Sequence, residues 1–276
     1  MATKKRTIVG SPLTPELLAQ LGVAARFSQP ATDFHPDGNW VHTYRIWTCH
    51  GYRESGNHDV GFLRINRLAE RADREFTLNV HREVIQTDGF LNVIDADIKC
   101  LHNPLASPIQ WQVSNHSINP AGEDVAELQT KEKGFIKADV LTIEVAGRSL
   151  TCQVGKRFTS GWCLFEAVQR LHLDKDAVLS FDLLEGLTSL KENQQLLYRG
   201  VQHQNLNDKY MPLHRFDHLG CGNLPFEYWL DESHRLVLAI SMNKTYILDP
   251  QAEQNIRQVT EKSRGSYQRR RRAKRK

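Results

Sequence analysis

No stretch of about 18 consecutive apolar residues occurs in the chain, which excludes a transmembrane helix of ordinary length. The N-terminus, MATKKRTIVGSPL, has a basic start. Its apolar segment, Thr7 to Val9, is too short for the hydrophobic region of a secretory signal. As written the chain reads as cytoplasmic, and as periplasmic if a leader has been removed. Cysteine is scarce: Cys49, Cys100, Cys152, Cys163 and Cys221. The number is odd and no C-x-x-C occurs, which argues against a disulfide framework and a zinc ribbon. Such thiols read as small packed hydrophobes. The phosphate-cradling G-x-x-x-x-G-K-[ST], the dinucleotide G-x-G-x-x-G, the nucleophile elbow G-x-S-x-G and the zinc-helix H-E-x-x-H are all missing. Mononucleotide, dinucleotide, α/β-hydrolase and metalloprotease chemistries therefore lack their usual support.

Charge is present but unevenly placed. The formal net charge is +4, and residues 262–276 hold nine Lys or Arg and no acid, so residues 1–261 carry +4 − 9 = −5. The body is mildly acidic and the basic character belongs to the tail. No general affinity of the folded body for nucleic acid follows.

Periodicity divides the rest. In SPLTPELLAQLG, Thr14 suits an N-cap, Pro15 the first helical position and Gly22 the C′ position, so a helix is expected over 14–21. Beyond the turn-rich DFHPDGNW the period falls from 3.6 to 2. From Trp40 to Tyr52, the positions Trp40, Tyr44, Ile46 and Tyr52 share a strand face, Val60 to Arg67 forms a second strand, and EFTLNVHREVIQT with the run to Cys100 forms a long hairpin. PIQWQVSNH and ADVLTIEVAGRSLTCQV alternate again. FTSGWCLFEAVQRLHL reverts to helical spacing, with a helix expected over 160–171, capped by Ser160 or Thr159 and apolar at Leu164, Phe165, Val168 and Leu171. Strands are expected at 178–184 and 196–201, followed by an irregular or bent stretch through HQNLNDKYMPLHRFDHLGCGN. In LPFEYWLDESHRLVLAI, Phe226, Tyr228 and Leu230 fall on one face of a strand and Glu227 and Trp229 on the other. Asp231 to His234 is a polar turn and Arg235 to Ile240 returns. The fold class is mainly β (α+β): ten to twelve strands in a curved antiparallel sheet or incomplete β-barrel, with one or two packed helices. Residues 1–30 read as an arm, 31–251 as one domain, and 252–276 as a disordered basic tail.

Several clusters are candidates for chemistry. His214, His218 and Cys221 have a H-x-x-x-H-x-x-C spacing that suits a first-row metal where the segment is helical. Pro212 and Gly220 argue against a helix there. Cys163, near a helix N-terminus, is a candidate nucleophile that lacks an identified base. Asp95 and Asp97 share a strand face opposite His81 and Glu83, an arrangement that bears on cation binding only if that face is concave. No catalytic residue and no cofactor is assigned.

SGWCLFEAVQRL as an inner helix, LLYRGV as a following strand and EYWLDESHRLVLAISMNKTYILD as closing hairpins resemble the bacterial lipoprotein-carrier (Lol-type) half-barrels and a related uncharacterised periplasmic family. The likeness covers the C-terminal half. It implies an incomplete barrel wrapped on a helix, a cavity for an acyl chain or other hydrophobic ligand, and no catalysis. No functional residue is carried over.

The leading expectation is thus a non-catalytic binding protein that holds a hydrophobic or extended ligand on the concave sheet face, with Trp40, Tyr44, Trp111, Tyr228 and Trp229 as candidate lining. One alternative is a metal-dependent hydrolase using the His214–Cys221 segment. Another is a polyanion-associated protein that meets nucleic acid or an anionic membrane surface through Arg269, Arg270, Arg271, Arg272, Lys274, Arg275 and Lys276. Residues 262–276 have almost nothing to bury against the roughly 1–2 kcal/mol per residue that ordering costs. Their deletion is expected to leave the melting temperature unchanged and to abolish salt-sensitive retention on heparin. Retention that survives the deletion places the polyanion contact in the folded body.

Overall fold

The computed structural model describes residues 34–49, 57–69, 74–86, 89–172, 178–206, 209–241 and 244–261. The helix expected over 14–21, Tyr52 and the tail residues 262–276 lie outside the described residues. Strands β1 (Trp40–Cys49), β2 (Asn57–Ala69), β3 (Glu75–Ile85), β4 (Leu91–Leu101) and β5 (Pro108–Ile118) follow one another. Next come β6 (Thr130–Lys137), β7 (Val140–Val145), β8 (Arg148–Gln153) and β9 (Phe158–Ser160), then an inner helix, Gly161–Ala167. The chain finishes with β10 (Val178–Glu185), β11 (Ser189–Leu206), β12 (Lys209–Gly220), β13 (Phe226–Leu230), β14 (Leu236–Ser241) and β15 (Lys244–Leu248). An outer helix occupies 252–261.

All of these strands belong to one 15-stranded sheet, ordered β8-β7-β6-β5-β4-β3-β2-β1-β15-β14-β13-β12-β11-β10-β9. The chain starts at the centre, meanders out to the edge strand β8, crosses to the far edge β9, and meanders back to β15 beside β1. Pairing is antiparallel throughout except for β9 against β10, which is parallel. This order dictates the shape. At about 4.8 Å between strands, a flat 15-stranded sheet would hold its edges about 67 Å apart. Only residues 154–157 join β8 to β9, and five extended Cα steps reach at most about 18 Å. The sheet must curl until its edges approach, giving a barrel-like form that remains open because β8 and β9 do not pair.

Tight turns allow the meander. Ala138 and Asp139 (φ 49° and 62°) join β6 to β7, and Ala146 and Gly147 (φ 49° and 75°) join β7 to β8. Two successive residues at positive φ match the twist of flanking strands in a two-residue hairpin. The bend expected after Val201 is a regular strand pair instead. Pro212 lies opposite His203 in the β11–β12 ladder, and the irregularity is confined to a bulge between Tyr198 and Val201.

The inner helix lies inside the curl. Ser160 caps it: its backbone is extended (φ −120°, ψ 164°) and its Oγ accepts from the Cys163 amide at 3.2 Å. The α-helix ends at Ala167, short of the expected 171. Its last turn tightens as the amides of Gln169 and Arg170 bond to Glu166 and Ala167. The Gln169 side chain donates to the Phe165 carbonyl and accepts from the Leu236 amide, tying the helix to β14. Cys163, Leu164, Phe165, Glu166 and Ala167 are all buried, so beyond its first two residues the helix has no solvent face. Its side chains meet the sheet on several sides. The Phe165 ring stands edge-on to Tyr44 of β1 and Tyr246 of β15, at 5.3 and 5.2 Å between centroids. Cys163 Sγ lies 3.7 Å from Cys100 Sγ of β4.

Glu166 is the polar anchor. Its fully buried carboxylate accepts from Arg67 Nε of β2 at 2.8 Å and from Arg170 Nε and Nη2 at 2.6 and 2.8 Å. Arg67 also donates to the carbonyls of Asp37 and Gly38, and its guanidinium sits 4.3 Å above the Phe76 ring. Asp37 lies 3.8 Å from Arg170 Nε, so two cations meet two anions. A charge left unpartnered in such a place is expensive, whereas the paired arrangement is roughly neutral in energy and fixes position.

The opposite face carries the outer helix. Ala252 and Ile256, one turn apart, pack on Phe62 beside Ile85, and Glu253 pairs with Arg64. The folded region therefore extends past the 251 boundary expected from sequence, because that apolar i, i+4 pair has a surface to cover.

Removing one partner of the internal cluster should be far costlier than removing a surface pair. Glu166→Gln is expected to lower urea-unfolding stability by about 3–5 kcal/mol, and Arg64→Ala by less than about 1 kcal/mol. Equal losses would show that Glu166 is not an anchor.

Candidate functional site

A seven-residue helix is about 10 Å long, whereas the ten- to thirteen-residue strands around it run more than about 30 Å. The helix cannot fill the curl from end to end. At its N-terminal end lies a cavity of about 400 Å³. Gly161, Trp162, Leu164 and Phe165 form one side of it. Leu183 of β10 and the run Leu224, Phe226 and Tyr228 form the other, with Tyr246 of β15 completing the wall. The register explains the convergence: Phe226 and Tyr228 pair with Ser241 and Ala239, and Ala239 pairs with Tyr246, so their side chains project to one face. The tyrosine hydroxyl of Tyr228 is held un-ionised well above its usual range by burial, reinforced by Tyr246.

Polar groups gather toward the mouth. Lys191 Nζ is 2.6 Å from Glu185 Oε2, and it donates to the Gly222 carbonyl at 2.8 Å and to Asn223 Oδ1 at 2.7 Å. His218, also in the wall, has Nε2 3.1 Å from Gln194 Oε1. That oxygen can only accept, so Nε2 carries the hydrogen. Burial, and then the Lys191 charge, push the His218 pKa down to about 4, which leaves the ring neutral at pH 7.

The candidate aromatics divide between faces. Tyr228 lines the cavity. Tyr44 is fully buried against Phe165, with its hydroxyl 3.2 Å from His42 Nδ1. Trp40 stacks on His42 at 4.4 Å and donates from Nε1 to the Pro36 carbonyl. Trp229 points to the other side of the sheet from Tyr228, where its Nε1 donates to Glu227 Oε2 and Arg215 sits 5.3 Å over its ring. Trp111 packs over Gly134, where an added Cβ would lie 2.1 Å from the ring. It also borders a groove of about 380 Å³ that is otherwise lined largely by charged and amide side chains such as Asp97, Lys99, Gln112 and Lys133.

His214, His218 and Cys221 do not converge. The two histidines lie on β12, where four residues span about 13 Å rather than the roughly 6 Å of a helix. His214 Nδ1 is 2.7 Å from the Tyr198 hydroxyl and His218 is taken by Gln194, while Cys221 is exposed in the following turn. Among the described residues no group of three His, Cys, Asp or Glu is placed to hold a metal. Cys163 is fully buried, with its Sγ between Ser160 Oγ at 3.0 Å and Cys100 Sγ. His81, Glu83, Asp95 and Asp97 lie on the face away from the inner helix. There His81 Nδ1 meets Asp95 at 2.6 Å and Nε2 meets Glu83 at 3.2 Å. The hydrogen bond to Glu83, and then Asp95, raise the His81 pKa. This is a solvated ladder, since the concave face belongs to Phe76, Leu78 and Val80.

No helix among the described residues is long and apolar enough to cross a membrane. No protein-family model matches the chain. No curated protein matches it either. Among solved structures, it is similar to a β-barrel-like protein of the domain of unknown function DUF1849 from Brucella abortus. The TM-score is 0.51 at 8% identity, covering 76% of this chain and 95% of that one. At such identity the likeness is one of fold. It gives the curled sheet a solved β-barrel-like counterpart and does not extend to lipoprotein carriage.

Two internal histidines set a pH dependence. Burial, and then Arg235, push His42 down to about 3, as burial pushes His218 to about 4. Both are depressed below an unfolded value of about 6.5. Their stabilisation is complete above about pH 6.5 and is lost as pH falls toward 4, when the unfolded chain takes up protons that the folded chain refuses. The slope is about 1.4 kcal/mol per pH unit for each histidine. His81, with a raised pKa, acts in the opposite sense, so the variant comparison is the informative one. Between pH 6.5 and 4.5, His218→Gln is expected to lose stability less steeply than the unaltered protein in urea unfolding. An unchanged slope would contradict a neutral His218.

Proposed function

We propose that this protein is a non-catalytic binding protein that holds a small hydrophobic ligand in the cavity at the N-terminal end of the inner helix. The observation that carries the reading is the lining. Trp162, Leu164, Phe165, Phe226, Tyr228 and Tyr246 surround a space within the range of about 300–1,000 Å³ typical of small-molecule sites. A ligand that covers this apolar lining removes it from water. A volume of about 400 Å³ equals roughly a dozen water molecules at about 30 Å³ each, a space that suits a medium-length chain or a ring system. The fold likeness to a β-barrel-like protein is compatible with ligand binding and names no ligand.

Gly161 permits a clean test. It borders the cavity, and a Cβ placed there meets nothing within 4 Å. Gly161→Leu should fill the space while improving the first helical position. Calorimetric titration with decan-1-ol is expected to give saturable one-to-one binding with a negative heat-capacity change. Gly161→Leu should remove that binding at an equal or higher melting temperature. Binding that persists in the well-folded variant would move the site elsewhere.

A further inference from the structure

The charges at the cavity mouth are unequal. Three ionised groups line it: Lys191, Lys244 and Glu185. Lys191 is used up. An ammonium has three donors, and those of Lys191 are met by Glu185, the Gly222 carbonyl and Asn223. Glu185 is neutralised by the same contact. His218 is uncharged, with its Nε2 hydrogen directed to Gln194. Lys244 remains. It opens β15, opposite Thr48 of β1 and two residues before Tyr246 on the same strand face. It is partly buried, and no side-chain hydrogen bond or ion pair engages its ammonium among the described residues. A cation is thus left in the lining of a largely apolar pocket.

From this we infer that the ligand is a single-chain amphiphile with an anionic head, its chain against Phe165, Tyr228 and Tyr246 and its head on Lys244. The inference rests on the hydrophobic-ligand reading and adds the class of head group. A neutral chain would leave the Lys244 donors to water. An anion replaces that hydration with a charge-assisted hydrogen bond in the reduced dielectric of the mouth. A cationic head would meet a net positive rim and is disfavoured.

The test compares decanoate, decyl phosphate and decan-1-ol by calorimetric titration of the full-length protein at pH 7.5. At least one of the two anions is expected to bind about tenfold more tightly than the alcohol, the low end of what a hydrogen bond to a charged group contributes. The tighter of the two distinguishes a carboxylate from a phosphate head. Lys244→Met should bring that anion to the affinity that the same variant shows for the alcohol. Lys244→Gln repeats the comparison should the methionine variant fail to fold. Alcohol binding as tight as that of the tighter anion, or an anion preference that survives both Lys244 variants, overturns the head-group inference and leaves the cavity reading standing. Failure of all three ligands to bind overturns the cavity reading itself.

Discussion

A four-residue connection between the two edge strands governs this molecule. Because β8 and β9 are consecutive in the chain yet terminal in a 15-stranded sheet, the sheet has to curl. The curl has an interior, and the segment that follows β9 directly, Gly161–Ala167, lies within it. Every residue of the helix after its first turn is buried, so the helix behaves as core rather than as an amphipathic cover. That is why Glu166 needs Arg67 and Arg170: a carboxylate enclosed by sheet on all sides persists as an ion only with its charge and lone pairs met.

The same constraint leaves the cavity. Helix and strand advance at different rates per residue, so a seven-residue helix cannot occupy the length of the surrounding strands. At the C-terminal end the remaining space is filled by Gln169, Arg170 and the cluster around Phe76. At the N-terminal end it is bounded by Gly161, which contributes no side chain, and by aromatic residues of β13 and β15. The segment from Leu224 to Ile240 is both scaffold and wall. Leu224, Phe226 and Tyr228 face the cavity, Trp229 supports the opposite face, and Asp231 caps its own turn by accepting from the Ser233 and Arg235 amides.

Much of this was legible in the sequence. Period-2 alternation located β1 to β5 and the closing hairpins, and the Ser160 cap marked the start of the inner helix. The long β11–β12 pair was obscured, because Pro212 and a polar composition resemble a loop. The ladder tolerates Pro212 opposite His203. The burial of Glu166 was invisible, since its partner Arg67 is 99 residues away and a Glu in a helix normally reads as exposed. Of the five candidate aromatics, Tyr228 lines the cavity and Trp229 points to the other face; alternation cannot say which positions border a void. That depends on where the helix starts, which the Ser160 cap sets, and on Gly161, which contributes no side chain there. The H-x-x-x-H spacing brings ligands together on a helix and separates them on a strand, and this segment is strand β12.

The account stands on the claim that the space left by the short inner helix receives a ligand. The most direct measurement is a crystal structure of the protein soaked with 10-bromodecanoate, with the bromine located by its anomalous signal. The account predicts one bromine peak inside the cavity beside Phe165 and Tyr228, with the carboxylate toward Lys244. A cavity without a peak, or a peak confined to the outer face of the sheet, would contradict it.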